Sequence, residues 1–144
     1  PAGIFDAVAD YLIGKGWTVE RESIPGGAHG YTDPEGRRVV LDSDLSPAQA
    51  AKTGLHEAAH VILHADEDHA EYVEHRGTKE TEAESVAYNV AGILGLDTSA
   101  YSVGYVAGWS DCDAATIKAT AANVLRAAHQ IADAITTAAE PVAA

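Results

Sequence analysis

His56 and His60 stand four residues apart with Glu57 between them, inside Thr53-Gly54-Leu55-His56-Glu57-Ala58-Ala59-His60-Val61-Ile62-Leu63-His64. That surrounding stretch reads as helix, and on a helix residues four apart lie one above the other on the same face. Two imidazoles so placed can converge on one ion, and this spacing is the usual protein half of a zinc site. Glu57 then faces the open coordination position, where a water needs a base. The chemistry such an arrangement would do is metal-dependent hydrolysis: Glu57 takes a proton from a metal-activated water and returns it to the leaving amine.

A hydrolytic zinc site needs a third protein ligand. The segment Glu80-Thr81-Glu82-Ala83-Glu84-Ser85 opens a second helical stretch with three carboxylates at alternating positions. Glu80 and Glu84, four apart, share a face that adjoins the apolar stripe of Ala83 and Ala87, whereas helical spacing turns Glu82 away, toward solvent. The preferred assignment makes Glu80 the metal ligand and Glu84 the acceptor for the N–H of a ligating histidine, a bond that fixes tautomer and ring orientation. The reverse, with Glu84 on the metal, is the rival, and all three acids could simply complement a helix N-terminus. A further donor would help hold a developing oxyanion; Tyr105, and after it Tyr101 or Trp109, are candidates because their segment follows the acidic helix. His64 extends the His56–His60 stripe but lies too far along the axis to share the ion, and reads as a surface residue or as one that supports a ligand from behind. His69 and His75, in the acidic connection, suggest at most a weak accidental metal site, and His29 and His129 read as solvated or packed.

The elements that must position these groups can be read along the chain. Ile4, Phe5, Val8, Tyr11 and Leu12 repeat with helical spacing and stop at Gly14 and Gly16. Trp17 to Arg21, Tyr31-Thr32 and Arg37 to Leu41 read as short strands. A Gly-rich loop, Ser23 to Gly30, and the turn Asp33-Pro34-Glu35-Gly36, where Gly36 supplies the permissive angle, separate them. They predict a small antiparallel sheet, with Arg37 to Leu41 as an edge able to pair with an extended peptide. Ser46 caps the next helix, Pro47 fits its first turn and Gln49 completes a capping box; the helix should reach about Ala65 with Ala51, Leu55, Ala58, Ala59 and Ile62 inward. A third-ligand helix is expected at about 78–95. A C-terminal one at about 112–138 should carry Ile117, Ala121, Val124, Ala128, Ile131 and Ile135 on one face. The reading is one α+β domain over residues 1–144, a sheet region at about 17–42 and a helical bundle after it.

Composition narrows the function classes. Nine basic against twenty-two acidic residues leave a formal charge of −13, which repels phosphate backbones and argues against direct nucleic-acid binding by this domain. No apolar run is long enough to cross a bilayer. The first residues lack the layout of a signal peptide, and Pro1 in place of an initiator Met fits an excised domain or a processed chain. Cys112 is the sole cysteine, so no internal disulfide can form, which suits a reducing compartment, the cytoplasm.

Taken together, Leu55 to His60, then Lys79-Glu80-Thr81-Glu82-Ala83-Glu84-Ser85-Val86-Ala87-Tyr88, Leu94-Gly95-Leu96 and Tyr105-Val106-Ala107-Gly108-Trp109 resemble the ImmA/IrrE-type metallopeptidase-like domains, over roughly residues 35 to 135. Within that group the likeness is nearest to the C-terminal domain of ArdC-type antirestriction proteins. The resemblance implies a minimal gluzincin-like zinc (Zn2+) site with two histidines and a glutamate as ligands and a glutamate base. By motif those roles fall on His56, His60, Glu80 (or Glu84) and Glu57. It also implies a zinc-dependent metallopeptidase acting on a protein or peptide substrate. The alternative it leaves open is a zinc-stabilised, non-proteolytic interaction domain serving antirestriction or regulation in a larger protein. Any single-stranded-DNA-binding domain of that protein would then lie N-terminal to Pro1.

Overall fold

A computed structural model describes residues 3–65, 76–95 and 114–139. Among these, helix α1 (Ile4–Gly14) precedes strands β1 (Thr18–Glu22), β2 (Gly30–Asp33) and β3 (Arg38–Asp42), and helices α2 (Pro47–His64), α3 (Arg76–Ile93) and α4 (Ala114–Ala139) follow. The class is α+β. The sheet, however, is mixed rather than antiparallel. Its order is β1-β3-β2, with β2 antiparallel to β3 and β1 parallel to it. The cause is that the chain between β1 and β2, with its single 3-10 turn at Pro25–Gly27, carries β2 past β1 to the far side of β3. The strand expected to be a free edge, β3, is therefore central, and β2 is an edge instead.

In the β2–β3 turn the left-handed residue is Arg37, at φ 50°, not Gly36. Gly36 donates its N–H to Asp33 Oδ1 at 3.2 Å, and Arg37 N closes back onto Pro34 O at 3.4 Å. A type I turn followed by one left-handed residue is a common way to join antiparallel strands, which places the positive φ one residue later than a type II turn would. Val39, Val40 and Leu41 are wholly buried, as the middle strand of a covered sheet must be.

Ser46 begins α2 as its sequence suggests: its Oγ accepts from Gln49 N at 3.2 Å, ahead of Pro47 in the first turn. Arg21 fixes the approach to that cap. Its guanidinium donates to the carbonyls of Asp42, Ser43 and Leu45 and lies over the Phe5 ring, 5.3 Å from the centroid. The link from β3 into α2 is thus tied to both β1 and α1.

Helix α2 is the central element, packed against α1, α3, α4, β2 and β3. Small residues make this possible. A Cβ on Gly54 would stand 3.4 Å from Phe5 and 3.6 Å from Val8, so α1 and α2 meet closely there. Because neighbours surround α2, polar residues join the inward Ala51, Leu55, Ala58 and Ala59: Glu57, His60 and His64 are all buried. Helix α3 is likewise enclosed between α2 and α4. Its buried hydroxyls are satisfied within the helix, Thr81 Oγ1 donating to Gly77 O at 2.9 Å and Ser85 Oγ to Thr81 O at 2.7 Å. On α4 the buried stripe runs from Val124 through Ala128 and Ile131 to Ile135, and Gln130 donates to the Tyr11 hydroxyl of α1. The expected earlier members of that stripe, Ile117 and Ala121, are exposed.

Candidate metal centre

Two antiparallel helices build the site. His56 faces Glu84 and His60 faces Glu80, so residue numbers climb along α2 as they fall along α3. The i, i+4 spacing stacks the two imidazoles, centroids 4.9 Å apart, with their Nε2 atoms 3.2 Å from each other. Glu80 spans them: Oε2 lies 3.0 Å from His56 Nε2 and Oε1 lies 3.1 Å from His60 Nε2. One donor atom from each of His56, His60 and Glu80 falls within 4.8 Å of the other two. Two imidazole nitrogens and a carboxylate, all aimed at one point, are a donor set that suits zinc and leaves a position open.

Glu84 is brought to the same cluster by a different atom. Its Oε2 lies 2.9 Å from His56 Nδ1, the ring nitrogen opposite the one that faces Glu80. A metal on Nε2 would leave the proton on Nδ1, where Glu84 could accept it and orient the ring, with Glu80 at the metal-facing side.

Burial alone would lower the His56 pKa, but its hydrogen bonds to Glu80 and Glu84 outweigh this and raise it to about 10. His60 is held below the ordinary histidine value, first by burial, against an opposing hydrogen bond to Glu80. Glu57, only 5% exposed, is pushed up to about 7 by burial, with the negative charge of Glu80 adding to the rise and His56 opposing it. A carboxyl that gives and takes a proton near neutrality is what general acid–base work requires.

Glu82 does not point to solvent. It is 7% exposed, and its Oε2 lies 3.8 Å from His64 Nε2. Helical spacing placed it opposite Glu80 and Glu84, but α3 is covered on more than one side, and the side chain reaches the last turn of α2. His64 is buried too, its Nδ1 2.9 Å from His60 Nδ1. Strand β2 supplies two residues that the motif did not reveal. A Cβ on Gly30 would stand 2.9 Å from both Thr53 Cγ2 and the Val40 carbonyl oxygen and 3.7 Å from Glu57 Cγ. Thr32 Oγ1 donates to the Glu57 carbonyl at 3.5 Å. The signal for Gly30 was present only as one more glycine in a Gly-rich loop. Tyr101, Tyr105, Trp109, His69 and His75 lie outside the described residues.

An uncharacterized protein of Bacillus anthracis is 34% identical over 73 residues, covering 51% of this chain and 12% of that protein. The chain thus corresponds to a small part of its longer relative. No solved structure matches the chain. The peptidase M78 family, described as the IrrE N-terminal-like domain, matches residues 17–103, more than half of the chain and all of the His56–Glu84 cluster. The chain therefore belongs to the IrrE N-terminal-like family of metallopeptidase-type domains.

Proposed function

We propose that this domain is a zinc-dependent metallopeptidase that cleaves a peptide bond, with His56, His60 and Glu80 as ligands and Glu57 as general base. The observation that carries the proposal is the convergence of His56 Nε2, His60 Nε2 and the Glu80 carboxylate beside a buried Glu57 whose pKa is raised to about 7. Bound there, zinc supplies Lewis-acid chemistry, polarising a carbonyl and making water more acidic. The chain's own residues do the rest. Glu84 holds His56 in the tautomer that presents Nε2. Glu57 accepts the proton of the attacking water and delivers it to the departing amine, for which a pKa near neutrality is well matched.

An extended peptide is the substrate shape that the surroundings favour. Among the described residues β2 pairs only with β3, and it runs against α2 beside Glu57. Asp42 N donates to His29 O, and the antiparallel alternation then turns the backbone groups of Gly30 and Thr32 outward, where a peptide strand can pair with them. No helix of the described residues is long and apolar enough to cross a membrane. The sole cysteine suits the cytoplasm, and an antirestriction role or single-stranded-DNA contact would call for a DNA-binding domain besides this one.

The test is to load the chain with zinc and compare wild type with Glu57→Gln on candidate protein substrates. The proposal expects equal zinc and cleavage by wild type alone. Partner binding without cleavage, unaffected by Glu57→Gln, would instead identify a zinc-stabilised interaction domain.

A further inference from the structure

Helix α2 carries a third histidine in register with the two metal-facing ones, and the metal-site reading gives it no work. His64 is buried in the last turn of α2, one turn beyond His60. Its imidazole is tilted 52° to that of His60, centroids 5.1 Å apart, and the two Nδ1 atoms are 2.9 Å apart. On its far side His64 Nε2 lies 3.8 Å from the buried Glu82 carboxylate, an electrostatic contact longer than a hydrogen bond.

Two ring nitrogens at hydrogen-bond distance leave few arrangements. An imidazole that offers Nε2 to a metal has its proton on Nδ1. His60 Nδ1 is then the donor, and His64 Nδ1 must be the acceptor. A neutral imidazole accepting through Nδ1 carries its own proton on Nε2, the atom that faces the Glu82 carboxylate.

We infer that Glu82 and His64 form a buried positioning relay for His60, His64 accepting the Nδ1 proton of His60 so that His60 Nε2 is held toward the metal, and the Glu82 charge favouring the His64 tautomer that carries its proton on Nε2. It rests on the reading of His56, His60 and Glu80 as a metal site. It parallels on His60 what Glu84 does on His56, but through an imidazole rather than a carboxylate, which keeps a second full negative charge away from the buried His60 ring. The relay also gives a role to two buried polar groups outside the ligand set, the Glu82 carboxylate and the His64 imidazole.

The test is zinc affinity of the full chain, measured by competition with a chromophoric chelator, for wild type, His64→Phe, His64→Asn and Glu82→Gln. His64→Phe keeps a ring but removes the acceptor, and zinc should bind roughly 10–100-fold more weakly. His64→Asn places an amide oxygen near the lost Nδ1 and should recover most of that loss. Glu82→Gln should weaken zinc in the same direction but by less. Side-chain 15N spectra of the zinc-loaded wild type should show His60 protonated on Nδ1 and His64 on Nε2. If His64 served packing alone, its substitution would lower the unfolding temperature of the metal-free chain and leave zinc affinity unchanged. Wild-type zinc binding with unchanged affinity in Glu82→Gln and the folded His64 variants, or a His64 protonated on Nδ1 alone, would overturn the relay. A wild type that binds no zinc would overturn the metal-site reading itself.

Discussion

Glu84 grips His56 from behind, its Oε2 2.9 Å from Nδ1, while Glu80 meets the other ring nitrogen at 3.0 Å. The two carboxylates are one helical turn apart on α3, yet they address opposite ends of one imidazole, and so they should fail differently. Glu80→Gln should nearly abolish zinc uptake, whereas Glu84→Gln should retain zinc with affinity reduced roughly 10–100-fold. Zinc titration of both variants checks this, and the reverse order of losses would exchange the two roles.

Zinc uptake should release a proton from His56. In the metal-free chain its hydrogen bonds to Glu80 and Glu84 override the effect of burial and raise its pKa to about 10, so near pH 7 the ring is protonated and that proton must leave before Nε2 can bind. Affinity should therefore climb with pH, by about tenfold per unit for a single displaced proton, until the pH approaches 10. Calorimetry in buffers of different ionisation enthalpy counts the protons. The same raised pKa stabilises the metal-free fold fully below the unfolded histidine value, and that contribution is lost as pH rises through 10.

Glu57→Gln should trade function for stability. Hydrolysis should fall by about 10²–10⁴-fold, the usual worth of a general base, while zinc stays bound. Because burial raises the Glu57 pKa from 4.5 to about 7, its contribution to the metal-free fold is fully present below pH 4.5 and is lost as pH rises through 7. Removing the charge should therefore raise the stability of the metal-free chain at pH 8 by roughly 1–3 kcal/mol and make little difference at pH 4. Thermal melts at both values of pH decide it, and equal shifts at the two would count against a buried, titrating Glu57.

Gly30→Val should separate β2 from α2. The added Cβ meets the Val40 carbonyl oxygen and Thr53 at 2.9 Å, and a backbone oxygen cannot step aside as a flexible side chain can. A loss of about 1–3 kcal/mol is expected, as for other overpacked contacts. If β2 guides an extended substrate, KM should rise more than zinc affinity falls. Unchanged stability would mean that the close approach is not maintained in solution.

Local chemistry made much of this protein legible in its sequence. Ser46-Pro47-Ala48-Gln49 announced the start of α2 because capping involves only near neighbours, and the His56–His60 face followed from helical spacing alone. The same local rule failed for Glu82. A helical wheel assigns one solvent face, and α3 has neighbours on more than one side.

By itself, then, the sequence determined the α+β class and the elements that carry the histidines and glutamates, since these depend on contacts within a few residues. Long-range packing decided the rest. Antiparallel docking of α2 on α3 set which atom of Glu80 and of Glu84 meets which histidine nitrogen, and it brought Glu82 to His64. The passage of β2 to the far side of β3 decided which strand is the edge beside Glu57. Neither has a local signature, because both arise from surfaces that meet only when distant segments bury their apolar faces together.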